Sequence, residues 1–208
     1  MIRFDLSREL AKPLARHLKP ARSGEPLLLW RADVAMIGAD VCVVAQEQQT
    51  QYLMVLCGLS SDQFSHFPAL FRERFWRETA AICKQAGLYD SQTLARSLGA
   101  LCDQQHYQLD PLPQEEGPIS KTLEKLERRF LYEDLPLPID GRSAFEFGFE
   151  LNSKLSRAAR ESGQPCAAEA LGNLCLNLIE AEMEISSAGA VTSVEDNVVT
   201  VDFARRGK

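Results

Sequence analysis

Three apolar stretches separated by short polar breaks are followed at once by a stretch with a different period. Leu27 to Ile37 is strongly apolar and ends at Gly38-Ala39-Asp40, a turn by composition. Val41 to Ala45 is apolar at every position, the pattern of a strand covered on both faces. Gln46 to Thr50 reads as a polar turn, and Gln51 to Leu59 returns as another strand. Connections this short make sequence neighbours pair antiparallel. The spacing then changes to that of a helix with one buried side: Phe64, Phe67, Leu70, Phe71 and Phe75 recur every three to four residues. Ser61 is the expected N-cap with Asp62 in the first turn, and Gly87 closes the helix. Pro68 sits in an early turn or splits the segment in two.

Ahead of this block, Ile2, Phe4 and Leu6 alternate, and Ser7 can cap a short helix that Pro13 ends or kinks. Behind it the pattern predicts a helix from Ser91 to about Gln104 and an edge strand over Tyr107 to Leu112. A helix capped by Ser120 follows, with Leu123, Leu126 and Phe130 on one side and Lys121, Lys125 and Arg129 on another. Residues 134–141 are extended and proline-rich. Phe145, Phe147 and Phe149 alternate as in a strand, yet Ala144 to Arg160 also fits a helix, and a helix from Ser143 is preferred. Residues 166–185 have a helical composition, and 186–208 read as a flexible tail carrying a short strand-like segment. The expectation is a single α+β domain over 1–185, a small antiparallel β-meander with several helices on one side.

Composition changes this picture little. A chain of 208 residues, 45% apolar and 25% charged, can fold without metal or disulfide. A net charge of −6 argues against broad charge-driven binding of nucleic acid. No apolar run reaches the roughly 18 residues of a membrane span, and the first residues lack the apolar core of a secretory signal. The six cysteines form no C-x-x-C and most lie in apolar stretches, which predicts reduced core thiols and a cytoplasmic protein.

Trp30-Arg31-Ala32-Asp33-Val34, then Cys42-Val43-Val44, then Leu70-Phe71 resemble, in order and type, an uncharacterised bacterial domain family with a Trp-His-Ala-Asn/Asp-Leu strand. Leu151-Asn152 echoes a Leu-Asn pair near that family's end, so the resemblance spans about residues 1–155. Arg31 stands where the family has His, and any role of that His is absent here. The resemblance implies the same order of elements, a bacterial cytosolic setting tied to mobile elements or defence, and no activity.

Candidate chemistry is sparse. His17, His66 and His106 show no helical metal spacing, and there is no G-x-G-x-x-G, P-loop or G-x-S-x-G, so neither cofactor nor metal is expected. Cys102 and His106 stand four apart, close enough on one helix to form a thiolate-activating dyad. Asp33 lies in an apolar strand and needs a partner if it faces inward; Arg31, on the same strand face, is the candidate. Arg72, Arg74 and Arg77 mix with Phe75 and Trp76 as in a nucleic-acid surface, but Glu73 and Glu78 interleave at salt-bridge spacing. Phe75 and Trp76 point about 100° apart, so with Phe75 inward Trp76 becomes an interface candidate. Val199, Val201 and Phe203 in the tail suit strand addition to a sheet edge. The leading reading is a non-catalytic binding or regulatory protein. It would meet a protein partner, or itself, through Trp76, Arg72 and the tail, with no membrane involved. An enzyme built around Arg31, Asp33, Cys102 and His106 comes second. A nucleic-acid binder using the Arg72–Arg77 helix comes third.

Overall fold

The computed structural model describes residues 1–21, 25–85, 98–111, 117–154 and 163–192, and of 182–192 the backbone alone. Its strands are β1 (Ile2–Leu6), β2 (Leu28–Ile37), β3 (Asp40–Glu47), β4 (Leu53–Cys57) and β5 (Gln105–Leu109). The meander is present, with β2, β3 and β4 antiparallel in sequence order. The sheet is wider and more mixed than expected, in the order β4-β3-β2-β1-β5, because β1 lies parallel to both β2 and β5. The parallel pairing follows from the connection. Between β1 and β2 run a short helix, α1 (Arg8–Ala11), a 3₁₀ turn at Ala15–His17 and ten further residues, 18–27. That is enough chain to carry the backbone to the start of the sheet again. Ile2, Phe4 and Leu6 are therefore one face of a strand bordered on both sides.

Helices cover both faces of the sheet, not one. On the first lie α2 (Ser61–Ser65), α3 (Phe67–Gln85) and α6 (Ala167–Thr192), which meet Phe4, Trp30, Val43, Ala45 and Met54. On the second lie α4 (Pro118–Leu131) and α5 (Gly141–Asn152), which meet Ile37, Cys42, Val44, Val55 and Cys57. The unbroken apolar run in β3 is the reason: its alternate residues feed two cores. The first core is aromatic. Phe4 stacks on Tyr107 at 4.5 Å and meets the edge of Phe71 at 4.6 Å, and Trp30 meets Phe71 at 5.1 Å and Phe75 at 5.8 Å. The helix phase read from Phe64, Phe67, Phe71 and Phe75 is thus the buried phase.

Local chemistry sets the element ends. Ser60, not Ser61, caps α2, in a reciprocal box with Gln63. The segment does split, at His66, and Pro68 sits in the first turn of α3, where its missing N–H costs nothing. Ser120 lies inside α4; its hydroxyl accepts from the Gly117 N–H at 2.9 Å, and the helix starts at Pro118. Asp140 caps α5 by accepting from the Arg142 and Ser143 N–H groups, so the Phe145-Phe147-Phe149 alternation is helical. Gly38 takes φ +63° between β2 and β3, and a Cβ there would stand 2.6 Å from the Phe130 ring. The predicted edge strand is β5, which starts two residues earlier and ends three residues earlier than expected. Of the helix expected over 91–104, residues 98–101 are helical, and 91–97 lie outside the described residues, as does Gly87. Helix α6 continues to Thr192, past the Ile185 boundary expected from the sequence, because a helix needs only its own backbone bonds and alanines favour it. Val199, Val201 and Phe203 lie outside the described residues.

Candidate functional site

The sequence candidates do not converge on one site. Arg31 does not pair with Asp33. Its Nε and Nη2 donate to Asp110 Oδ2 at 2.8 and 2.6 Å, while Asp33 Oδ1 accepts from the Val34 N–H at 2.8 Å. Cys102 and His106 are not a dyad either. Cys102 is buried in the first core, where loss of solvation pushes its thiol up to about 12. His106 is next to Tyr107, a first-core residue, so strand alternation sends it through to the opposite face. The helix that would have aligned the two ends before β5 begins.

Arg31 and His106 do share a sheet face, with β1 between them. Register aligns Arg31 with Asp5 and Asp5 with Gln108, and Arg3 with His106. Gln108 Nε2 donates to Asp5 Oδ1 at 2.9 Å. Burial holds the Asp5 carboxyl above its ordinary range, against the pull of Arg3, whose Nε stands 3.4 Å away without hydrogen-bond geometry. The result is a polar seam across the parallel half of the sheet.

The basic helix is largely neutralised by its neighbours. Arg72 Nη1 donates to Asp103 Oδ1 at 2.6 Å, and Arg77 Nη2 lies 2.5 Å from Glu73 Oε1. Trp76 is half-buried. Its indole N–H donates to Glu73 Oε2 at 3.3 Å, and the Arg77 guanidinium lies over its ring at 5.6 Å. It does not offer a bare indole face.

The site that sequence reasoning missed lies between α3 and the start of α5. A cleft of about 580 Å³ opens there, walled by Leu56, Leu59, Leu70, Ile139 and Phe145. Its floor is a buried ionic network. Arg74 Nε donates to Glu78 Oε1 at 2.5 Å, and the Tyr52 hydroxyl donates to Glu78 Oε2 at 2.8 Å. Arg74 Nη1 also donates to the Gly141 carbonyl, and its Nη2 is buried without a partner. A Cβ at Gly141 would stand 3.3 Å from Arg74 Nη1, so glycine lets the guanidinium approach the backbone. Burial raises the Glu78 carboxyl, opposed by Arg74 and Tyr52; burial and the Glu78 charge raise Tyr52 well above its usual value. A signal for this site was present in the sequence. Phe67, Phe71, Phe75 and Ile82 set the buried phase of α3, and Arg74 and Glu78 fall within it. Two charges on a core-facing stripe are a buried pair, not a surface one.

At its far end α5 is tied to the sheet. Asn152 Nδ2 donates to the Leu53 and Gly148 carbonyls at 2.7 Å each, and its Oδ1 accepts from the Leu53 N–H at 2.8 Å. A side-chain amide thus stands in for a neighbouring strand at edge strand β4.

Among the described residues no group of three or more metal-ligating side chains is gathered, and no helix is long and apolar enough to cross a membrane. No curated protein matches the chain. Residues 3–88, from β1 to the end of α3, are similar to a family described as a domain of unknown function (DUF6933), a match shorter than the span suggested by the sequence motifs and one that carries no activity.

Proposed function

We propose that this protein works by binding a protein partner, and that the α3–α5 cleft is where the partner's apolar side chains insert. The observation that carries this is the division of polar groups in the cleft. At its floor Arg74 and Glu78 are paired with each other and Tyr52 holds Glu78 from the core side, leaving a single guanidinium nitrogen, Arg74 Nη2, without a partner among the described residues. Other charged and amide side chains lining it are exposed at the rim, Arg77, Arg142, Glu73 and Gln63 among them, with charges of both signs. Small-molecule sites place convergent polar groups inside the pocket. An apolar centre with a mixed polar rim is the anatomy of a protein interface. Ile139, 62% exposed on the cleft wall, is the apolar residue a partner would cover. The rim ion pairs Arg77–Glu73 and Arg142–Glu146 are solvent-exposed, hold little energy, and are free to re-pair across an interface.

The test is site-specific photo-cross-linking in the native host, with the cross-linker at Arg142 and, as control, at Arg8 on α1. A protein adduct from position 142 that is lost with Ile139→Asp and Arg77→Glu, and absent from position 8, supports the reading. An adduct indifferent to those changes, or none at 142, overturns it. One observation favours catalysis instead: Glu78 is a carboxyl of raised pKa at a cleft floor. An adduct-forming protein whose partner binding survives Glu78→Gln argues for the binding role, and chemical turnover of the partner lost in that variant argues for the catalytic one.

A further inference from the structure

Cys42 on β3 and Cys57 on β4 face each other directly in the antiparallel register. Their side chains enter the same core from the same face of the sheet. The Glu47 N–H donates to the Tyr52 carbonyl, which makes 47 and 52 a hydrogen-bonded pair. Pair types alternate along the ladder, so 42 and 57, an odd number of steps away, form a non-hydrogen-bonded pair. Such pairs place Cα atoms about 4.5 Å apart with the side chains at their closest, inside the roughly 4.4–6.8 Å that a disulfide spans. Both thiols are free, and the two are 0% and 5% exposed. Cys57 also lines the α3–α5 cleft, which gives a small reagent a route to a pair otherwise sealed.

We propose that Cys42 and Cys57 are a redox-active dithiol, a modification site at which a hydroperoxide closes a cross-strand disulfide. The thiols are arranged for it. The Cys57 thiol donates to the Cys42 sulfur, and the Gly58 N–H donates to it as well; together they outweigh burial and hold Cys42 below its ordinary value. The Cys57 thiol is raised by that same contact and by burial, so Cys42 is the sulfur of the pair more ready to lose its proton; burial raises the thiols of Cys83, Cys102 and Cys175. In the first step the thiolate sulfur attacks one peroxide oxygen. The S–O bond forms, the O–O bond breaks, and the departing hydroxide takes a proton to leave as water. In the second step the other sulfur, losing its proton, displaces hydroxide from the sulfenic acid, and that proton completes a second water. Two thiols and one hydrogen peroxide give one disulfide and two waters.

The experiment uses the full folded chain. It is titrated with hydrogen peroxide, quenched with iodoacetamide in denaturant, and digested with trypsin. No Lys or Arg lies between Arg31 and Arg72, so both cysteines fall in one peptide, 32–72. The half-buried Cys166 serves as the internal measure of exposure to oxidant. The expected result is a 32–72 peptide carrying no alkyl group and lighter by two hydrogens, formed before Cys166 is oxidised and restored by dithiothreitol. Protein unfolded in urea should show no such preference. Cys57→Ser should leave Cys42 alkylated or singly oxidised, and if that variant does not fold the wild-type peptide alone decides. Cys166 oxidised while Cys42 and Cys57 stay alkylated overturns the proposal, as does sulfinic acid at either residue without a cross-link, or bridging to another cysteine.

Discussion

The buried Arg74–Glu78 pair makes a sharp energetic prediction. The side chains are 10% and 3% exposed, so their interaction is little screened. At an effective dielectric near 20, charges about 4 Å apart attract by about 4 kcal/mol. Desolvation takes several kcal/mol from each ion, so the intact pair contributes little net stability. Removing one partner is a different matter. Glu78→Leu leaves a buried guanidinium with no counter-charge, a loss of about 3–5 kcal/mol. It also orphans the Tyr52 hydroxyl, which adds about 1–3 kcal/mol. For a chain this size the first effect alone lowers the thermal midpoint on the order of 6–20 °C. Replacing both charges, Arg74→Met with Glu78→Leu, should recover most of the loss, and adding Tyr52→Phe should recover most of the rest. The assay is urea unfolding of the single, double and triple variants, followed by tryptophan fluorescence and circular dichroism. A Glu78→Leu midpoint equal to wild type would refute the reasoning. So would a double variant worse than either single, since that would mean the pair itself carries the stability.

Phe71→Ala should cost about 3–5 kcal/mol, since the ring is fully buried against Phe4, Trp30 and Phe75; an unchanged unfolding midpoint would contradict the core assignment. Asn152→Ala should cost about 1–3 kcal/mol by orphaning the Leu53 backbone, and hydrogen exchange at the Leu53 amide should speed up; continued protection there would show another group covers that edge. Asp5 titrates above its ordinary 3.8 in the folded chain because burial disfavours its charge. Its folded pKa exceeds its unfolded one, so its contribution is complete below that ordinary value and is lost as pH rises through the folded pKa. The stability of wild type relative to Asp5→Asn should therefore fall across that window and then level off, and a rise with pH would reverse the assignment.

What the sequence disclosed and what it hid have separate physical causes. The meander and the α3 phase were legible because each rests on local periodicity, two residues in β3 and between three and four in α3. The parallel seating of β1 was hidden because pairing with β5 depends on contacts about a hundred residues apart, which no local pattern encodes. The Arg31–Asp33 reading failed for the same reason: Asp110 reaches Arg31 only because β5 adds itself beyond β1. The Cys102–His106 reading failed because the helix ends at Leu101, before either residue, and strand alternation then sends the histidine to the other face. Arg74 and Glu78 were legible in principle. Their i, i+4 spacing suits any helix salt bridge, whereas the phenylalanine phase on the same helix marks those two positions as inward.

Helix α5 is mounted at two points, one at each end. Its first residue, Gly141, is held through its carbonyl by Arg74, and its last, Asn152, clasps the backbone of Leu53. The same helix is at once a wall of the cleft and the cover of a sheet edge. Prising its start away from Arg74 levers on a rod whose other end holds the Leu53 N–H and carbonyl from outside the sheet. Widening the cleft and baring strand β4 are therefore two readings of one displacement. A change that loosens α5 raises the tendency of the chain to pair with a second copy along that edge, even when the altered residue lies at the cleft and nowhere near β4's ladder.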